Sequence, residues 1–287
     1  MTSEFRRTHS AQTLHNAVSG TEDLQERTNE QAHPAARLEM MMATDESPIG
    51  RSRLGRYEEL QGAGKRYRFK RLTLPIVLKD LRFEKADPVP GDRVPEFDLP
   101  TLGGGRFRSK EIANAGPVLF IFGSITCPMT DNAAPGLNEL YYRFGDRVRF
   151  VLVNVREAHP GKAISQPDTF EAKIAHAWQL RDLHGFGFEV AVDDIDGSLH
   201  RAMGPKPNSA YVIGIDGTIL FRAHWANDTK ALAEALDAVA SGETPRVIQS
   251  GGVIRSMLRM LRNLAPVLDR AGSGAWAAKV CRRPPNS

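Results

Sequence analysis

Between residues 117 and 240 the chain alternates short apolar runs with longer stretches in which apolar residues recur every three or four positions. The runs Val118–Phe122, VRFVLVNV (148–155) and EVAVD (189–193) read as buried strands, because strands enclosed on both faces need no polar alternation. In AAPGLNELYYRF (133–144), Ala133, Leu137, Leu140, Tyr141 and Phe144 fall at helical spacing. A second helix is predicted over 168–183, opened by a capping box of Asp168 with Glu171 and faced by Phe170, Ile174, Ala177, Trp178 and Leu180. DIDGSLHRAMG predicts a short helix, AYVIGIDGTILFRAH (210–224) a hairpin turning at Asp216–Gly217, and residues 228–240 a closing helix. Ahead of these, from about Asp87, PVPGDRVPEFDLPTLGGGRFRSKEI carries Pro and Gly punctuation and alternating Val94, Phe97 and Leu99. It predicts an edge strand, a hairpin at Gly103–Gly105 and a short helix. Strand–helix alternation followed by a hairpin gives an α/β fold: a central mixed sheet with helices on both faces.

The flanks have a different texture. Residues 1–47 are polar and read as a disordered tail. Residues 48–88 form a basic arm in which Lys65, Arg66, Arg68, Lys70 and Arg71 alternate with aromatics and precede the apolar segment Leu72–Leu78. Packing of those aromatics on the main domain is favoured over an RNA-binding patch, since no nucleic-acid motif accompanies the charges. The domain proper is placed at 89–242. In 243–287 an amphipathic helix sets Val253, Met257, Met260, Leu261 and Leu264 against Arg255, Arg259 and Arg262. Packing on the domain or in a homodimer is favoured for it over a membrane surface. The net charge of +4 is a small difference between 38 basic and 34 acidic residues, so no nucleic-acid partner is implied. Two cysteines, Cys127 and Cys281, cannot build a disulfide framework, which fits a reducing, cytoplasmic setting. The N-terminal region lacks a signal-peptide core, and no apolar run approaches the roughly 18 residues of a transmembrane segment.

The chemistry converges on VLFIFGSITCPMT (118–130). Cys127 follows a buried strand, and Pro128 suits the first turn of a helix because its missing N–H has no helical partner. The sulfur would then meet unpaired N–H groups and the positive end of the helix dipole, which favour a thiolate. A buried structural cysteine is the alternative, and the strand–turn–helix setting weighs against it. Thr130 occupies the second position of a C-x-x-C dithiol; its hydroxyl can hydrogen-bond a thiolate but cannot resolve a disulfide. Turnover therefore calls for an external thiol, or for Cys281, whose flanking Arg282 and Arg283 suggest a bystander. His159, in REAHPGK just past the next strand, is the candidate proton donor, with Glu157 to orient its imidazole. His176 is a weaker candidate. No metal-ligand cluster, G-x-G-x-x-G or P-loop is present, so no bound cofactor or metal is expected.

These residues carry a resemblance. The span 91–240 resembles the thioredoxin-fold redoxins, and within them it is most similar to the iodothyronine deiodinases. FGSITCP matches that family's FGS-x-T-selenocysteine-P turn, with Cys127 in the selenocysteine place, and EAHP (Glu157–Pro160) is its second motif. FEAKIAH (170–176) and VAVDDIDGSLHRAMG (190–204) resemble the segments that follow. The resemblance implies a thioredoxin-like fold and reductive removal of iodine from an iodinated aromatic. Cys127 would attack iodine, His159 would assist protonation, and His176 matches a second family histidine. It also implies a reductant such as a thioredoxin or glutathione system. Sulfur in place of selenium implies slower turnover, and Ile125 stands where many members carry a helper cysteine.

Two other readings stay open. A thiol peroxidase acting on peroxide is supported by Ser124, three residues before Cys127 as in P-x-x-x-[ST]-x-x-C, although Phe120 fills the proline position. A non-catalytic thioredoxin-fold binding module would leave Cys127 as a vestige.

Overall fold

The structure, a computed structural model, describes residues 67–250 and 253–275. The tail 1–47, residues 48–66 of the basic arm and Cys281 lie outside the described residues. Helix α1 (Leu74–Asp80) precedes a two-stranded antiparallel sheet of β1 (Asp98–Pro100) and β2 (Arg106–Arg108), followed by a 3₁₀ turn and α2 (Ile112–Ala115). The main succession is β3 (Val118–Gly123), α3 (Pro128–Phe144), β4 (Arg149–Asn154), α4 (Phe170–His184) and β5 (Glu189–Val192). It continues with α5 (Ser198–Ala202), β6 (Ala210–Ile213), β7 (Ile219–Ala223), α6 (Thr229–Ala240) and α7 (Val253–Ala271).

The five main strands lie in the order β5-β4-β3-β6-β7. The β3–β4 and β4–β5 pairs are parallel, as their helical crossovers require, while β6 and β7 return antiparallel through the hairpin. Gly217, at φ +81, takes the left-handed turn position, and Gly214 N donates to Thr218 O across it at 2.9 Å. Every residue of β3 is buried, which is what its unbroken apolar run implies. Phe120 and Phe122 join Phe107, Val151, Val153 and Tyr211 in a core on one face, and by strand alternation Leu119 and Ile121 face the other. The fold is thioredoxin-like α/β, with a mixed sheet and helices, as expected.

Three local features depart from the sequence reading. The cap of α4 is Thr169, whose hydroxyl accepts from Ala172 N at 3.2 Å, and not Asp168. Thr169 holds the extended φ −121, ψ 159 in which a side-chain oxygen reaches the helix's free N–H groups. The expected edge strand pairs locally in the β1–β2 sheet and meets the main sheet only through bridges such as Thr101–Ala191. Helix α7 runs through Pro266 to Ala271, and Leu261, expected on its apolar face, is 57% exposed. In α1, Leu74 and Leu78 are exposed, whereas the arm's Tyr67 is buried. The Tyr67 hydroxyl lies 2.7 Å from His200 Nδ1, and since His200 Nε2 donates to Lys206 O at 2.9 Å, the tyrosine is the donor. Among the described residues, no helix is long and apolar enough to cross a membrane.

Candidate active site around Cys127

Cys127 is the N-cap of α3, extended at φ −98, ψ 111, with Pro128 in the first turn. Its N–H donates to Ser124 O at 3.2 Å and its carbonyl accepts from Asp131 N at 3.1 Å, closing the turn between β3 and α3. The parallel register that sets Gly123 opposite Asn154 carries the loop after β4 directly against this turn. Ala158 N donates to Ser124 Oγ at 3.3 Å, and His159 N donates to Thr126 Oγ1 at 3.2 Å. Ser124 and Thr126 therefore stitch the two loops together.

The centre of the stitching is Glu157, which has no solvent exposure. Its Oε2 accepts from Thr126 N at 3.0 Å and from Thr126 Oγ1 at 2.6 Å, and its Oε1 accepts from His176 Nδ1 at 2.9 Å. Gln166 holds the Glu157 backbone from both sides, accepting from its N–H and donating to its carbonyl, each at 2.8 Å. A buried carboxylate needs such a shell, because its desolvation is otherwise prohibitive. The arrangement corrects the expected pairing: Glu157 holds His176, on α4, and not His159. Helix α4 follows β4 and packs back over its carboxyl end, so the histidine two turns into the helix reaches the carboxylate that its sequence neighbour does not.

The thiol does not lie open. Cys127 is 2% exposed and packs with Met129, Ala158 and Trp225, with Leu81 and Met260 against them. Burial pushes its pKa up to about 11; hydrogen bonds from Thr130 and from the backbone of Thr130 and Met129 pull the other way but lose. The helix-terminal donors expected beside the sulfur are thus present, and desolvation outweighs them. The thiolate expected from them is not the resting form in this conformation. Thr130 is itself buried, and its hydroxyl also accepts from Asn208 Nδ2 at 3.3 Å. His159 is pushed down to about 4 by burial, partly offset by a hydrogen bond to the backbone of Ala275, so its ring is neutral at pH 7.

Of the residues singled out from sequence, Cys127, Ser124, Glu157 and His159 belong to the joined turn and loop, Thr130 lies in the first turn of α3 beside the sulfur, and His176 is linked to them through Glu157. Three participants were missed. Thr126 is the T of FGSITCP and its spacing was visible. Gln166 and Trp225 carry no local signal, because only the packing of distant segments brings them in. Among the described residues no group of His, Cys, Asp and Glu could hold a metal ion.

Residues 90–222 match the model of the AhpC/TSA family. No curated protein matches the chain. Among solved structures, a hypothetical protein from Sinorhizobium meliloti 1021 is similar at 18% identity and TM-score 0.46, over 59% of this chain and 95% of that one. An uncharacterized conserved protein from Geobacillus kaustophilus is similar at 18% identity and TM-score 0.47, over 59% and 90%. Peroxidoxin BcpB from Mycobacterium tuberculosis is similar at 17% identity and TM-score 0.41, over 53% and 97%.

Proposed function

We propose that the protein is a thiol oxidoreductase acting through Cys127, and that its reaction is reductive dehalogenation of an iodinated aromatic; the match of residues 90–222 to the AhpC/TSA family model supports the redox reading. The observation that carries this reading is the Glu157 network. It ties FGSITCP to EAHP and to His176, so the two sequence motifs that resemble the deiodinases operate as one hydrogen-bonded unit. The Cys127 sulfur forms a bond to iodine as the carbon–iodine bond breaks, and the aryl carbon takes a proton. An external thiol then displaces iodide from sulfur, leaving a mixed disulfide that a second thiol reduces. Two thiols thus supply the electron pair and leave as a disulfide. We assign the proton transfer to His176: with Nδ1–H donating to Glu157, its Nε2 is open to take the Cys127 thiol proton and pass it to the aryl carbon. His159, half-buried and held neutral, is the weaker candidate. No cofactor is required, and a cytoplasmic thioredoxin or glutathione system would suit the reductant's role.

A second reading, reduction of peroxide with Cys127 oxidised to a sulfenic acid and regenerated by external thiols, is favoured by the family match and by Ser124 Oγ within the turn. Two assays with dithiothreitol separate the readings: iodide release from an iodothyronine, and peroxide consumption, on wild type and Cys127→Ser. Cys127-dependent iodide release is expected. Peroxide consumption without iodide release would replace the first reading by the second. Equality of the variant and wild type in both assays would leave neither.

A further inference from the structure

For any substrate to react, its atom must come within about 3–3.5 Å of the sulfur. In this structure nothing can. Three of the side chains packed around Cys127 come from outside the matched segment 90–222: Trp225, Leu81 at the end of α1, and Met260 on α7.

Helix α7 lies along α3 on a mixed seam: its Val267, Leu268 and Ala271 are buried, and a row of polar bonds runs beside them. Asn263 Nδ2 donates to Asp131 Oδ2 at 2.7 Å, Asn132 Nδ2 donates to Asn263 Oδ1 at 2.9 Å, and Arg270 Nη1 donates to Asp131 Oδ1 at 3.1 Å. At the other end of the helix, Asn227 Nδ2 donates to Ser256 O at 2.9 Å. Each such bond exchanges for one to water on separation, so the polar part of the seam orients the helix more than it holds it. The outer face, with Arg255, Leu258, Arg259, Leu261 and Arg262, is exposed.

The helix also bears on the reacting loops themselves. Arg270 Nη1 reaches Ile125 O at 3.3 Å, one residue from Thr126 and two from the cysteine. Beyond its end, Ala271 O accepts from Ala163 N at 3.0 Å, Ser273 O accepts from Lys162 N at 3.0 Å, and the Ala275 backbone meets the His159 ring. Gly161 makes this seating possible: a Cβ there would run into the backbone of Ala271 and Gly272. One helix and its following turn thus cover the sulfur, clamp the turn that carries it and close the loop that carries His159.

We propose that α7, with the turn through Ala275, is a displaceable lid on Cys127, and that its seating sets the rate at which substrate reaches the sulfur. The proposal rests on the reading of Cys127 as the reacting thiol. Opening is a local event, separable from unfolding of the sheet, because what it exposes, Val267, Leu268 and Ala271 with the polar row, is small beside the core of the sheet.

The test is native-state labelling of Cys127 by N-ethylmaleimide in the full chain carrying Cys281→Ser. Labelling with the lid intact is followed against sub-denaturing urea. A slope well below that of global unfolding is expected, since the slope scales with the surface exposed. A slope equal to the global one overturns the lid. Asn263→Ala with Arg270→Ala, and separately Gly161→Ala, are expected to speed labelling by at least about tenfold, the factor that corresponds to about 1.4 kcal/mol. Ile213→Val, at the far end of the sheet, controls for general destabilisation. No increase beyond that control in either lid variant overturns the proposal. Labelling reads access and the iodide and peroxide assays read turnover. Lid-dependent labelling without turnover would remove the oxidoreductase reading alone; turnover with lid-independent labelling would remove the lid alone.

Discussion

Glu157→Gln is the substitution that most directly probes the network. The side chain keeps its size and loses its charge, and one acceptor oxygen becomes an NH₂ group. In the wild type both oxygens face donors: Thr126 N and Oγ1 on one, His176 Nδ1 on the other. Turned toward Thr126, the NH₂ meets the Thr126 N–H donor; turned toward His176, it forces the imidazole to give up its Nδ1 proton and change tautomer, in a site with no exposure to water. A hydrogen bond to a charged group contributes roughly 1.5–3 kcal/mol, and a buried donor left unpaired costs about 1–3 kcal/mol. Removing one partner of a buried charged network costs about 3–5 kcal/mol, and the retained carbonyl recovers part of it. The expected loss is about 2–4 kcal/mol, or roughly 5–15 °C in Tm for a chain of this size. Urea unfolding followed by tryptophan fluorescence at pH 7 measures it. Activity should fall further than stability explains, by about 10²–10⁴ in kcat, if His176 is the proton donor that Glu157 orients. A Tm within about 2 °C of wild type would refute the reasoning, because it would mean that the carboxylate holds nothing the amide cannot.

Three other outcomes follow from the same geometry. With the Cys127 thiol pushed up to about 11, the ultraviolet absorbance of its thiolate in folded Cys281→Ser protein should be absent at pH 7 and still rising through pH 9, and a plateau near pH 7 would contradict the buried thiol. His159 is held near 4 in the fold against an ordinary 6.5, so the fold disfavours its protonation. Its contribution is present above 6.5 and lost as pH falls toward 4, by up to about 3 kcal/mol; His159→Gln should flatten the stability–pH curve in that window, measured by urea unfolding at pH 7 and 4.5. Tyr67→Phe leaves the fully buried His200 Nδ1 without its donor and should cost about 1–3 kcal/mol in the same assay, whereas an unchanged midpoint would mean the arm contributes nothing to the fold.

The strands, the turn at Gly217 and the helix that starts at Pro128 were legible because each is decided by a few adjacent residues. An unbroken apolar run needs burial on both faces, Asp216–Gly217 permits the left-handed turn, and proline after cysteine opens a helix. The α4 cap was misread by one residue because Asp168 and Thr169 are both capping residues, and the backbone dihedral at the junction selects between them. Leu261 was misplaced because a stripe of leucines and methionines does not say which edge of it meets the core.

From its sequence alone, the chain determines that a cysteine will stand between a buried strand and a helix N-terminus, facing a loop that begins Glu-Ala-His-Pro. It also shows that no second thiol sits within that turn. Only the tertiary structure decides which histidine the glutamate holds, since that depends on where α4 crosses the end of β4. It decides as well that the thiol rests protonated, because the cluster that buries it includes Trp225, Leu81 and Met260, residues far from it along the chain. Hydrogen-bond donors near a sulfur are a local property that spacing can announce. Exclusion of water is a collective one, set by every segment that packs over the site.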